Sequence, residues 1–204
     1  AEKKEESESL AWMKQQAARH KVSVVGSVAI CSDDQYFNRL FWVSPEGDFH
    51  TYDKRHLFSL SEEPKAFTPG EKREIIEYKG WRILPQICYD LRFPVFSRNT
   101  DDYDLALYIA NWPAKRIQHW DTLLKARAIE NQCYVLGVNR IGEDGNDLVY
   151  NGHSVIISPS GKGISAADSS QRIITCKLSK GAREATKKAM PFLKDKDSFK
   201  IIME

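Results

Sequence analysis

The sequence predicts an α/β protein in which helices cover β-sheets, and three observations carry that reading. Apolar runs such as Val22-Ser-Val-Val-Gly-Ser-Val-Ala-Ile30 have strand character and are apolar enough to be covered on both faces. Helical periodicity lies between such runs rather than in a separate block. A hydrophobic content of 42%, with 11% aromatics over 204 residues, suffices for a substantial core. No repeat, linker or low-complexity segment divides residues 1–204, which read as a single domain.

Taken in order, Leu10, Met13, Ala17 and Ala18 share a helical face opposite Lys14, Gln15 and Arg19. After the Val22–Ile30 strand, Asn38–Val43 and Phe49–Tyr52 flank Ser44-Pro-Glu-Gly-Asp48, a hairpin with clear turn chemistry. Ile75–Tyr78 and Trp81–Cys88 form a second hairpin around Lys79-Gly80. A short helix is expected over Val95–Asn99 and an apolar strand over Tyr103–Ala110. Trp120, Leu123, Leu124 and Ala128 mark a helix, and Cys133–Asn139 a strand. The loop Gly142–Asp147 precedes two expected strands, Ser154–Ser158 and Arg172–Leu178. A lysine-rich helix before Pro191 and an irregular tail complete the chain, the tail lysines reading as a solvated face.

Thirty basic and twenty-eight acidic side chains leave a net charge of +2, which offers no basic stripe for nucleic acid. Cys31, Cys88, Cys133 and Cys176 are far apart, form no Cys-x-x-Cys pair and suit a reducing cytosol. No run of about 18 apolar residues predicts a membrane span. The charged start Ala1-Glu-Lys-Lys-Glu-Glu-Ser-Glu-Ser9 lacks the apolar stretch of a signal peptide. A soluble, cytoplasmic protein is expected.

Cys88 is the most informative residue. It closes the apolar run from Trp81, and the bend-prone segment Tyr89-Asp-Leu-Arg-Phe-Pro94 follows at once. A thiol at a strand's exit is held by the sheet, while the turn after it offers N–H groups to a substrate oxygen. Alone, such a cysteine is more often a small core residue. A thiol near its ordinary pKa of about 8.5 needs a cation or base nearby to act as a nucleophile. Lys54 and Glu63 lie upstream, each just after a strand; spacing alone leaves open whether they meet Cys88 or each other. Lone charged residues are mostly exposed.

Other chemistries fit poorly. The five histidines show no His-x-x-x-His or Cys/His metal spacing, so no metal is expected. There is no Gly-x-Ser-x-Gly elbow, phosphate-binding loop or dinucleotide fingerprint. A cysteine–histidine hydrolase would need His119 or His153 beside Cys88, and neither carries a local signature.

Tyr52-Asp-Lys-Arg-His-Leu-Phe58, Glu63 before Gly70, and Cys88-Tyr-Asp-Leu-Arg-Phe-Pro94 together resemble the nitrilase, or carbon–nitrogen hydrolase, superfamily. Ala126-Arg-Ala-Ile-Glu-Asn-Gln132, Gly152-His-Ser154 and Pro159-Ser-Gly161 are similar to its later signatures, in unbroken order. Ala110-Asn-Trp-Pro113 with His119-Trp120, and Gly137-Val-Asn-Arg-Ile-Gly142, look most like the bacterial ω-amidase branch, which removes ammonia from 2-oxoglutaramate and 2-oxosuccinamate. The resemblance implies a four-layer α-β-β-α sandwich, association into homodimers or larger homo-oligomers, and no cofactor. It implies Cys88 as nucleophile, Lys54 and the backbone N–H of Tyr89 at the oxyanion, and Glu63 orienting the lysine. Arg92 and Arg116 are candidates for the substrate carboxylate, and Trp112 for a pocket wall. Each has a structural alternative: an ion pair for Arg92, core packing for Trp112. Glu130 reads as a structural carboxylate on its helix, with a place in the site network open.

One departure stands out. The family's general base is a glutamate in a Pro-Glu-x-Phe-type motif, which this chain does not contain. Glu2, Glu5, Glu6 and Glu8 fall in an expected polar helix start. The expectation is therefore a chain lacking the family's first β-α-β segment, about 60 residues by the usual size of such units. Such a chain would be inactive by itself unless Glu63 took over proton transfer. Three readings follow: an ω-amidase; another amidase of the superfamily, acting on N-carbamoyl or aliphatic amides; or an inactive fragment serving as a subunit or binding module.

Overall fold

In the computed structural model, which describes residues 1–167 and 169–202 without the side chain of Glu5, the chain forms two units, Ala1–Glu74 and Ile75–Glu204. The first is built on a sheet of order β1-β2-β3-β4, with Glu2–Lys3 (β1), Val24–Ser32 (β2), Gln35–Val43 (β3) and Phe49–Asp53 (β4). β1 runs parallel to β2, and the other pairs are antiparallel. Asp33 and Asp34 both take positive φ, 52° and 59°, so β2 and β3 are joined by a tight two-residue turn; β2 is shifted two residues later than its apolar run, and β3 starts three residues before its own. The helix Glu8–His20 (α1) starts on the Ser7 side chain, which accepts from the Leu10 N–H. It buries Met13 and Ala17 against Ile30, Phe41 and Val43.

The second unit is a sheet of order β12-β11-β8-β7-β6-β5. It comprises Ile76–Tyr78 (β5), Trp81–Ile87 (β6), Leu105–Ala110 (β7), Tyr134–Asn139 (β8), Val155–Ile157 (β11) and Gly163–Ala166 (β12). β6, β7 and β8 are parallel and nearly all apolar, as strands covered on both faces must be. Lys79 and Gly80, both at positive φ, close the β5–β6 hairpin. The helix Ile117–Asn131 (α4) buries Trp120, Leu124 and Ala128 in the core of this unit. Gly137 of β8 permits that approach: a Cβ there would lie 2.5 Å from a Leu124 methyl and 2.9 Å from the Trp120 ring. Short helices Glu63–Ala66 (α2) and Pro94–Ser97 (α3) punctuate the loops, and Lys180–Ala189 (α5) is the lysine-rich helix.

Several expectations change. Arg172–Leu178 forms no strand; its apolar residues find no neighbouring strand, and Ile173 is exposed. The edge position goes to β12, because the tight turn through Gly161 (φ 81°) returns the chain directly beside β11. The expected loop Gly142–Asp147 overlaps a second hairpin, Ile141–Glu143 (β9) with Val149–Asn151 (β10). The early glutamates do not share a helix start. Glu2 lies in β1 opposite Ile30, and its carboxylate accepts from the Ser7 hydroxyl at 2.6 Å and the Ser9 N–H at 3.1 Å. Hydrogen bonds from Ser7 and Ser9 hold that carboxyl below its ordinary pKa, so Glu2 anchors the entry to α1. Glu6 lies in a 3-10 turn and Glu8 begins α1; the Glu5 side chain lies outside the described residues. Ala18 is exposed rather than on the buried face.

Nor are all the C-terminal lysines merely solvated. Lys187 reaches Asp102 at 2.8 Å, and Lys196 donates to the Asn99 carbonyl at 3.0 Å. On the same helix, Arg183 is 2% exposed and pairs with Asp102 at 2.6 Å and Asp104 at 3.0 Å. Burial pushes the Asp102 carboxyl up, but hydrogen bonds from Lys187 and Arg183 outweigh it and bring it to about 2. With the folded value below the unfolded one, this contribution is present at neutral pH and is lost as pH falls through 3.8 towards about 2. Arg183→Met should cost about 1–3 kcal/mol, because it removes the buried partner of Asp104 and leaves that carboxylate only Lys180 and the Arg82 N–H. In urea titrations at several pH values, the same substitution should also shrink the acid limb.

Candidate active site

Cys88 is the first residue beyond β6, and its backbone takes φ 46°, a left-handed conformation uncommon for a residue with a side chain. Such a conformation costs on the order of 1–3 kcal/mol and persists only where its surroundings over-determine it. They do. The turn Cys88–Arg92 reverses the chain, and the buried Asp90 carboxylate accepts the Ile87 N–H at 2.9 Å. Leu91 is sealed in the core, and Arg127 of α4 donates to its carbonyl at 2.6 Å. Arg127 is itself held by Glu130 at 2.8 Å. The result lifts the Cys88 Sγ off the strand, partly exposed and 3.8 Å from the Asn111 carbonyl at the exit of β7.

Around this turn lie other residues singled out in the sequence. Tyr89 occupies its first turn. The Arg92 guanidinium stands 4.8 Å from the Trp112 ring centroid and 6.0 Å from that of Tyr89, and Nη2 lies 3.1 Å from His119 Nδ1. The structural ion pair considered for Arg92 is absent: no carboxylate among the described residues of this unit pairs with it. Trp112 is buried; its indole N–H donates to the Arg116 carbonyl at 2.8 Å. Its backbone exchanges hydrogen bonds with the Asn139 side chain, 2.7 and 3.0 Å. Arg116 is thus fixed through its carbonyl. The two histidines weighed as partners for the thiol are engaged with Arg92 (His119) and Asp121 (His153, 3.0 Å).

Lys54 and Glu63 meet within the first unit. Lys54 continues the β4 ladder, its N–H donating to Asn38 and its carbonyl accepting from Gly70, both at 2.9 Å. A Cβ at Gly70 would fall 2.2 Å from the Asp53 oxygen, so only glycine allows the loop to close on β4 there. The closed loop returns Glu63 to Lys54, whose buried ammonium bonds both carboxylate oxygens at 2.8 and 2.7 Å. Glu63 also accepts the Phe58 N–H at 2.7 Å and the Asn38 amide at 3.4 Å. A carboxylate so committed suits a group that orients a charged lysine rather than one that ferries protons.

Sequence reasoning assigned nothing to Asp90, Arg127, Asn139 or Tyr150. Arg127 and Asn139 sit inside motifs that were recognised, but their partners lie far along the chain. Tyr150 on β10 is pushed up to about 12, chiefly by burial and by its hydrogen bond to Asp144, with the Cys88 thiol adding to the shift. Its hydroxyl stays protonated near the nucleophile candidate. Burial also pushes the Cys133 thiol up to about 12. Iodoacetamide below pH 8 should therefore label Cys88 well ahead of Cys133, as read by peptide mass spectrometry. Equal rates would count against Cys88 as an activated thiol.

Residues 1–188 match the carbon-nitrogen hydrolase family, a match that lends no support to the expectation of a missing first segment. The chain is 49% identical to the omega-amidase YafV of Escherichia coli K12 over 191 residues, 93% of this chain and 75% of that protein. It is 33% identical to the 2-oxoglutaramate amidase of Bacillus subtilis 168 over 188 residues, 90% of this chain and 72% of that one. Among solved structures it is similar to XC1258 of Xanthomonas campestris, a CN-hydrolase superfamily protein with an arsenic adduct in its active site. That similarity has a TM-score of 0.96 and 42% identity over 98% of this chain and 78% of the other. The fold is therefore α/β and nitrilase-like, the relatives are amidases, and the chain belongs to the carbon-nitrogen hydrolase family.

Proposed function

We propose that this amidase is an ω-amidase, releasing ammonia from 2-oxo dicarboxylic acid monoamides such as 2-oxoglutaramate and 2-oxosuccinamate. The reading rests above all on Cys88, held in a left-handed turn that lifts its sulfur off the end of a central strand. The names of the E. coli and B. subtilis relatives support the substrate class. The arsenic adduct of the Xanthomonas relative fits a thiol at the reacting centre, since arsenic is thiophilic. In this reading the Cys88 thiolate attacks the amide carbon, and the tetrahedral intermediate expels ammonia to leave a thioester. Water then releases the diacid and restores the thiol. The Lys54 ammonium and the Tyr89 N–H stabilise the oxyanion, Glu63 keeps the lysine charged and aimed, and Arg92 takes the 2-oxo acid carboxylate. Trp112 walls the pocket, and Arg116 fixes the wall through its carbonyl. A cytoplasmic homo-oligomer working without a cofactor belongs to the same proposal.

A second reading has its own observation: no Pro-Glu-x-Phe motif supplies a general base, and both Glu63 oxygens are taken by Lys54. On that reading the chain is an inert subunit. Ammonia release from 2-oxoglutaramate by the complete gene product, with Cys88→Ala as blank, separates them. Turnover lost in the blank is expected, and Lys54→Met should lower kcat by about 10²–10³. Absence of turnover on 2-oxoglutaramate, with activity on N-carbamoyl or aliphatic amides, would move the protein to another branch. Inactivity on all of them would favour the inert subunit.

A further inference from the structure

We infer that His119 is a positioning residue that sets substrate selectivity by holding Arg92 in place while leaving its charge uncompensated; this rests on the proposed 2-oxo acid amide reading. A guanidinium has only donors, so the 3.1 Å contact from Arg92 Nη2 requires His119 Nδ1 to accept. Assigning Nδ1 as the acceptor corresponds to the tautomer with its proton on Nε2. An aspartate or glutamate in its place would fix the arginine equally well, but would cancel its charge and compete with an incoming carboxylate. With one nitrogen tied to His119 and its plane held near the Trp112 and Tyr89 rings, the guanidinium has its remaining N–H groups for an anion. The support is rigid on both sides. Arg92 ends the turn that begins at Cys88. His119 stands on α4 beside Trp120, which is fully buried and packs 5.5 Å from Trp112. No other group in this unit, among the described residues, shares a hydrogen bond with Arg92.

The readout is the ratio of kcat/KM for 2-oxoglutaramate to that for its 1-methyl ester, in which the carboxylate is masked. It is measured on the complete gene product, wild type, His119→Phe and His119→Asn. The wild type should favour the free acid. His119→Phe should lower that ratio by about tenfold or more, mostly through KM, the scale of losing one hydrogen bond to a charged group. His119→Asn, whose side-chain oxygen can accept from Arg92, should restore most of it. A ratio unchanged in His119→Phe, or a fall that His119→Asn does not reverse, would overturn the positioning role while leaving the amidase reading intact. A wild type that hydrolyses neither compound overturns both.

Discussion

The left-handed backbone at Cys88 is the constraint around which the second unit is organised. A single unfavourable residue at the end of a central strand needs several independent restraints, and each comes from a different part of the chain. Asp90 caps the strand end locally, Leu91 is driven into the core, and Arg127 reaches across from α4 to the Leu91 carbonyl. The Arg127–Glu130 pair is partly buried, yet its worth lies in geometry more than in net stability, since buried ion pairs often contribute little by themselves. Helix α4 is thus more than a cover for the sheet. Its packing against Gly137 sets where Arg127, Trp120 and His119 stand.

The first unit solves a different problem, giving a buried lysine a carboxylate partner. Lys54 is 4% exposed, and without a partner its charged form would be strongly disfavoured. Glu63 supplies the opposite charge, and its own lone pairs are satisfied by Phe58 and Asn38 as well as by the lysine. The pair depends on a loop being folded flat onto the β3 and β4 backbone, through Thr68 to Tyr36 and Gly70 to Lys54. That dependence gives the residues from Lys54 to Gly70 one shared purpose.

Each unit thus holds one such device: a thiol in a left-handed turn in the second, and a buried lysine paired with a half-buried carboxylate in the first. In the second unit the Arg92 guanidinium lies 4.8 Å from the Trp112 ring centroid and 3.1 Å from His119 Nδ1, with no carboxylate partner among the described residues of that unit. Family membership fixes the class of chemistry; the 2-oxo acid amide belongs to the proposal, for which Arg92 is the supporting residue.

Periodicity and turn chemistry determined most of the elements. The Lys79-Gly80 hairpin, the apolar strands leading to Cys88 and Ala110, and the α4 face formed by Trp120, Leu124 and Ala128 were legible because each depends on neighbours a few residues away. Local signals also misled. The segment Arg172–Leu178 promised a strand, but pairing requires an adjacent edge, and the turn at Gly161 delivered β12 there first. The candidate site residues were likewise legible, as motifs around Lys54, Glu63 and Cys88. Their contacts were not. Lys54 with Glu63, Arg127 with Leu91 and Arg92 with His119 join residues separated by 9, 36 and 27 positions. Spacing along a chain says nothing about which side chains meet once loops close. Only the tertiary structure decided that Glu63 holds the lysine, that Arg127 pins the cysteine turn and that Arg92 meets His119. Each outcome depends on packing and on satisfying buried charge, which no local pattern encodes.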